Sequence, residues 1–208
     1  MTYTETVTRN GETHIGATTD AEALALVRRG RRLGYKVTAT KDGTITIVRE
    51  IAGRTIATVV LRPQSKPQRL SDTQYGDLAI IDHDAKHARL DGEAIRTLVC
   101  RIPPAATRRL IEKGLIVADE ARVEISLAGR LAMAAHQHKV WTVGGSEAVA
   151  GEVGYHTLTG ARLERTGYFV TAYCTCHRLA SYQTERATAQ RVARVHLEEN
   201  LTAALIGA

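Results

Sequence analysis

Apolar positions change their period several times along the chain, and each change marks a candidate element. Over residues 19–34, Ala23, Leu26, Val27 and Leu33 recur at near-helical spacing. Thr19 or Asp20 can cap the start of such a helix, and Gly34 suits its end. The period then drops to two. Tyr35–Thr40, Thr44–Glu50 and Thr55–Leu61 read as strands joined by turns at Lys41-Asp42-Gly43 and Ala52-Gly53-Arg54. The first ten residues, Met1 to Asn10, are polar and rich in Thr. Residues 1–62 therefore predict an α-β-β-β module, and Pro63-Gln64-Ser65-Lys66-Pro67 a linker.

Helical spacing returns over residues 68–140. Ser71 or Asp72 caps a helix through Ile81, and Asp91 or Gly92 opens a second through Cys100. Pro103-Pro104 breaks the chain and starts a third, Ala105 to Lys113, which Gly114 ends. Leu115–Val117 and Arg122–Ile125 predict a hairpin with Asp119-Glu120 at its tip, and Ser126 opens a helix reaching about His138. Gly144-Gly145-Ser146 reads as a second linker. A third module over 147–208 has strand-like residues at 161–176 and a long helix at 184–206. The expected fold class is α+β in three small modules: α-β-β-β, a helical module with a hairpin, and a β-hairpin plus long helix.

The run Thr107-Arg108-Arg109-Leu110-Ile111-Glu112-Lys113-Gly114-Leu115-Ile116, followed by Val123-Glu124-Ile125-Ser126-Leu127-Ala128-Gly129-Arg130, resembles the core of winged helix-turn-helix proteins of the MarR type. The resemblance covers about a third of the chain. It implies that the helix from Ala105 to Lys113 is a recognition helix, with Arg108, Arg109 and Lys113 facing phosphates or base edges. Double-stranded DNA is then the expected partner, and transcription regulation the expected role. Arg28, Arg29, Arg31 and Arg32, the densest basic cluster, would add sequence-independent phosphate contacts. The acidic pair Asp119-Glu120 instead favours contact with a protein, in an accessory protein of a phage or mobile element that binds a host factor.

Cys174, Cys176 and His196 offer a second chemistry. Cys174 and Cys176 share one face of an extended strand. His196 falls on the apolar stripe Ala189, Val192, Ala193, Leu197 and Leu201 of the last helix, directed at the strands. Two thiolates and an imidazole suit tetrahedral zinc in a structural role. His177 and His156 are the candidates for a fourth ligand, and a metal-free core with inert thiols is the alternative. The segment also resembles short Cys-x-Cys…His modules near the ends of small actinobacterial and actinophage proteins. His83 with His87 reads as a solvated loop, and His136 with His138 as surface residues of a helix end. The stripe on the last helix also suits a homodimer contact.

Composition narrows the classes. The formal charge is +6, and the chain holds 44% hydrophobic but only 4% aromatic residues. Ala, Val, Leu and Ile must therefore form the core, and the basic balance is compatible with nucleic acid. Cations exceed carboxylates mainly in the first two thirds. Abundant Ala and Arg with little Lys fit the coding bias of a high-GC bacterium or its phage. Three cysteines, two of them as Cys-x-Cys, argue for a reducing compartment over a disulfide framework. No apolar run nears the ~20 residues of a membrane span, and the polar start predicts no secretory leader, so a cytoplasmic location is expected. No phosphate loop, nucleophile elbow or triad spacing occurs, so no enzymatic activity is expected.

Overall fold

The computed structural model describes residues 2–65, 68–88, 102–118, 123–143, 147–148, 153–155, 162–164, 167–168, 170–183 and 185–206. The fold is α+β, and its contacts divide it into two compact units. The first comprises Met1–His136 with Glu198–Ala208, the second Gln137–Leu197. The expected helix opening at Asp91 or Gly92, the hairpin tip Asp119-Glu120, Lys66-Pro67 of the first linker and Gly144–Ser146 lie outside the described residues.

The first unit begins with a hairpin that the Thr-rich composition concealed. Strand β1 (Thr2–Arg9) pairs antiparallel with β2 (Glu12–Thr19). Asn10 and Gly11 both take positive φ, 51° and 86°, the backbone that a two-residue type I′ turn requires. Helix α1 (Asp20–Arg32) follows directly, closed at its start by a reciprocal capping box between Thr19 and Glu22. Strands β3 (Lys36–Ala39), β4 (Ile45–Ile51) and β5 (Arg54–Pro63) complete an antiparallel sheet in the order β2-β1-β5-β4-β3. The expected α-β-β-β module is therefore β-β-α-β-β-β: β1 inserts beside β5 and carries the hairpin with it.

Ala23, Leu24 and Val27 of α1 are buried, as are Ile45, Ile47 and Leu61 of the sheet. Gly30 lets α1 approach closely, since a Cβ there would sit 2.8 Å from Ile47 Cγ2. The last turns of the chain's final helix belong to the same unit. Thr202 Oγ1 accepts the Ala39 amide at 2.9 Å, and Arg31 Nη1 donates to the Leu205 carbonyl at 3.4 Å.

Helix α2 (Asp72–Ala88) opens with a second reciprocal cap, in which the Gln74 amide donates to Ser71 Oγ and the Ser71 amide to Gln74 Oε1, both at 3.2 Å. It runs well past Ile81. Ile81 is buried and Asp82 pairs with Arg130 at 3.9 Å, so tertiary contacts carry the helix through a stretch that reads as a polar loop. His83 and His87 thus stand on a helix.

Helix α3 (Pro104–Glu112) follows Pro103, and strands β6 (Ile116–Ala118) and β7 (Val123–Ile125) form the expected hairpin. Helix α4 (Leu127–Gln137) comes next. Leu70, Leu78, Ile81, Ile102, Leu110, Leu115, Ile116, Ile125 and Ala132 form one core across these elements.

The start of α4 is held from two directions. Ser126 Oγ accepts the Gly129 amide at 2.9 Å and donates to the Gly114 carbonyl at 2.6 Å. Asp20, buried at the start of α1, accepts the amides of Leu127 at 2.8 Å and Ala128 at 3.2 Å. A carboxylate there also meets the positive end of the helix dipole. Desolvation nevertheless raises the Asp20 carboxyl above its ordinary value, outweighing the two amides that lower it. The Tyr3 phenol is buried beside it. Desolvation first, and then the Asp20 charge, push that phenol up.

A Cβ at Gly129 would lie 2.1 Å from the Leu115 carbonyl oxygen, which the Ser126 amide already fixes. Gly129→Ala should therefore cost about 3 kcal/mol in urea denaturation. Asp20→Ala should cost about 1–2 kcal/mol at neutral pH, the value of a lost helix cap. Because the folded value of Asp20 lies above the unfolded one, folded protein takes up this proton at higher pH than unfolded chain does. The wild-type advantage over Asp20→Ala should then widen as pH falls through the folded value, and an advantage that shrinks in acid would contradict this account.

Candidate metal centre

In the second unit, β8 (Val140–Val143), β13 (Val170–Cys174) and β14 (Ala180–Gln183) form a three-stranded antiparallel sheet with β13 in the middle. Short strands β9 (Glu147–Ala148), β10 (Val153–Tyr155), β11 (Arg162–Glu164) and β12 (Gly167–Tyr168) precede β13, pairing as β9 with β12 and β10 with β11. The strand-like stretch 161–176 is thus several short strands. Helix α5 (Arg186–Ile206) follows β14. Alternation along β13 sends Val170, Ala172 and Cys174 to one face, where they bury with Ala189 and Ala193 of α5. Val140 and Leu179 pack against this small core.

At one edge of that core His138, Cys174, Cys176 and His196 come together, with one ligand atom of each within 4.8 Å of all the others. Cys174 Sγ is 3.7 Å from His138 Nδ1, and Cys176 Sγ is 3.3 Å from His196 Nε2. The imidazole rings of His138 and His196 meet edge-on, with centroids 5.6 Å apart. Ligands at ordinary zinc bond lengths in a tetrahedron stand about 3.3–3.8 Å from one another. The donor set thus suits a metal ion, and two soft thiolates with two imidazoles favour a transition metal over a hard cation.

The fourth member corrects the expectation for His177. That residue takes a positive φ of 59° in the turn after β13, where its amide donates to the Cys174 carbonyl at 3.0 Å. The chain reverses there, and His177 is not one of the four. His156 lies outside the described residues. The seat belongs to His138, which sequence reasoning put on the surface of a helix end. Helix α4 stops at Gln137, and Val140 begins β8 immediately afterwards.

Thr175, between the two cysteines, fixes this crossing. Its hydroxyl donates to the Gln137 carbonyl at 2.6 Å and accepts the Lys139 amide at 3.0 Å, while its own amide donates to the Lys139 carbonyl at 3.0 Å. His138 is thereby held beside Cys174. The Arg178 amide donates to Cys176 Sγ at 3.4 Å, a bond that steadies a thiolate.

Without a metal, burial pushes the Cys174 thiol up. Desolvation, then the neighbouring charges of His196 and Arg178, hold the His138 imidazole below its ordinary value. The imidazole is thus ready to donate a lone pair, whereas a metal must displace the thiol protons. Affinity should therefore fall in acid.

The basic residues singled out in the sequence all lie in the first unit. Arg108, Arg109 and Lys113 are exposed, while Leu110 between them is buried in the core. In α1, Arg28 pairs with Glu124 of β7 at 3.8 Å and Arg31 reaches the Leu205 carbonyl, whereas Arg29 and Arg32 are exposed. No protein-family model, curated protein or solved structure matches this chain.

Metal analysis by mass spectrometry should give about one transition-metal ion per chain in protein prepared without chelators. Cys176→Ser and His138→Ala should lose it, and His177→Ala should retain it. Thr175→Val keeps all four ligands but frees the His138 segment, and should weaken metal binding about 10- to 100-fold in a competition titration. Full retention in His138→Ala would place the fourth ligand elsewhere.

Proposed function

We propose that this chain is a regulatory protein that binds double-stranded DNA through residues 68–140, with a second unit stapled by structural zinc. The observation that carries the DNA reading is the placement of Arg108, Arg109 and Lys113. All three are exposed on and just beyond α3, a helix anchored by buried Leu110 and followed at once by the β6-β7 hairpin. A helix anchored on one face and cationic on the other can enter a major groove. Exposed Arg29 and Arg32 of the same unit add charge without reading sequence.

The zinc reading rests on a closed set of two cysteines and two histidines, which leaves no open coordination position for catalysis. The core it would staple is built largely from Ala172, Ala189 and Ala193, which bury little apolar area. Metal binding would supply folding free energy that these side chains cannot. No described helix is long and apolar enough to cross a membrane.

Fluorescence anisotropy with a labelled duplex of about 25 base pairs tests the DNA reading. Three phosphate contacts predict a loss of affinity of about fortyfold between 50 and 200 mM salt. Replacing Arg108 and Arg109 with Ala should weaken binding at least about tenfold and flatten the salt dependence. Absence of salt-dependent binding to any duplex overturns it. A second reading, contact with a protein partner, is favoured by Ile111 of α3 and Val117 of β6, which are 44% and 49% exposed. A stoichiometric protein partner lost in Ile111→Glu, with no duplex binding by the wild type, would select that reading.

A further inference from the structure

Trp141 is the only tryptophan in the chain. It lies on β8 directly opposite Tyr173 of β13, and the two rings stack with centroids 5.7 Å apart and planes at 22°. Strand alternation puts this pair on the sheet face away from α5, because Val140, Ala172 and Cys174 occupy the other face. Trp141 remains 44% exposed despite the stack. An aromatic pair that serves only to fill a core would not leave that much indole in water.

The surroundings say what such a platform would meet. Lys139 stands two residues before Trp141 and is exposed. Arg178, also exposed, lies in the turn that leaves β13, at the sheet end where Thr175 bonds to Lys139. Residues 137–143 and 170–183 contain no Asp or Glu. If two cysteines bind a divalent metal as thiolates, the four-ligand cluster is itself neutral and adds no negative charge beside these two cations. An exposed indole stacked on a half-buried phenol, with two exposed cations at one end of the same sheet, is the chemistry of a nucleobase stacked on an aromatic and its phosphates held by positive charge.

We infer that the Trp141–Tyr173 face of the second unit binds single-stranded nucleic acid, with a base stacked on Trp141 and the backbone held by Lys139 and Arg178. Bases inside a duplex present their rings to one another, so the platform discriminates for unpaired strands. The site is distinct from α3 and does not depend on the duplex reading.

The single tryptophan makes the site report on itself. The full chain, prepared without chelators, is titrated with a dT dodecamer and, separately, with a U dodecamer while indole emission is followed. Saturable quenching is expected with at least one of them, and the two arms show whether DNA or RNA is preferred. Two phosphate contacts predict an affinity loss of about sevenfold between 50 and 200 mM salt. Trp141→Ala, read by anisotropy of the labelled oligomer, should weaken binding about fivefold or more. The double variant Lys139→Glu with Arg178→Glu changes two exposed side chains, and should lose the quenching and its salt dependence. Absence of quenching by either oligomer overturns the inference. So does equal quenching by a duplex of the same length, or unchanged binding after the charge reversal.

Discussion

The first unit turns on a buried carboxylate. Asp20 begins α1 by position but closes α4 by chemistry, reaching across more than a hundred residues to the amides of Leu127 and Ala128. Four free amides at a helix start must find acceptors, and burial removes water as the alternative. Here Ser126 supplies one acceptor from the local chain and Asp20 supplies two from a distant one. The N-terminal sheet and the α2–α4 segment are thereby parts of one cooperative structure. The raised carboxyl shows that this contact carries a desolvation cost, so its value lies in fixing where α4 begins as much as in net stability. Where α4 begins fixes in turn the β6-β7 hairpin, through the Leu115 carbonyl and the Ser126 amide.

The second unit solves the same problem with different material. Its core is made of alanine and a few valines, so the chemistry that converges on its edge matters more than the area buried within it. Thr175 is the economical element there. One hydroxyl and one amide bind the Gln137–Lys139 segment to the end of β13, and His138 is held beside Cys174 as a result. A structural ligand set from three separate chain segments closes off the unfolded state more than a contiguous motif would, because more chain must be ordered to complete it.

Regular period made α1 and strands β3 to β5 legible, and turn chemistry placed the β6-β7 hairpin and the starts of α3 and α4. The β1-β2 hairpin was missed although Asn10-Gly11 is a strong turn pair. Alternation of Thr with Val and Glu carries little hydrophobic contrast, so the strands hide in a polar composition. Helix α2 was cut short because the polar run after Ile81 carries no apolar period, and the partner of Asp82, Arg130, comes from a remote segment that no local pattern encodes. His138 was overlooked for a related reason. A ligand contributed from a remote segment has no spacing to read, and the strand Val140–Val143 that turns the chain inward just after it was not read from the sequence either. Cys174, Cys176 and His196 were accessible because helix phase and strand alternation are local rules that survive into the fold.

Local rules also explain why the cysteine segment offers more than a metal seat. Alternation that turns Cys174 toward α5 must turn Tyr173 the other way, and the register that brings Val140 beside Cys174 must bring Trp141 beside Tyr173. The same two strands therefore present ligands on one face and an aromatic pair on the other. Lys139 and Arg178 follow from the same arrangement, since one adjoins a ligand at the entry to β8 and the other lies in the turn just after Cys176. A cluster that anchors both strand ends holds the aromatic pair in register, so the order of the sheet and the shape of its outer face are set together.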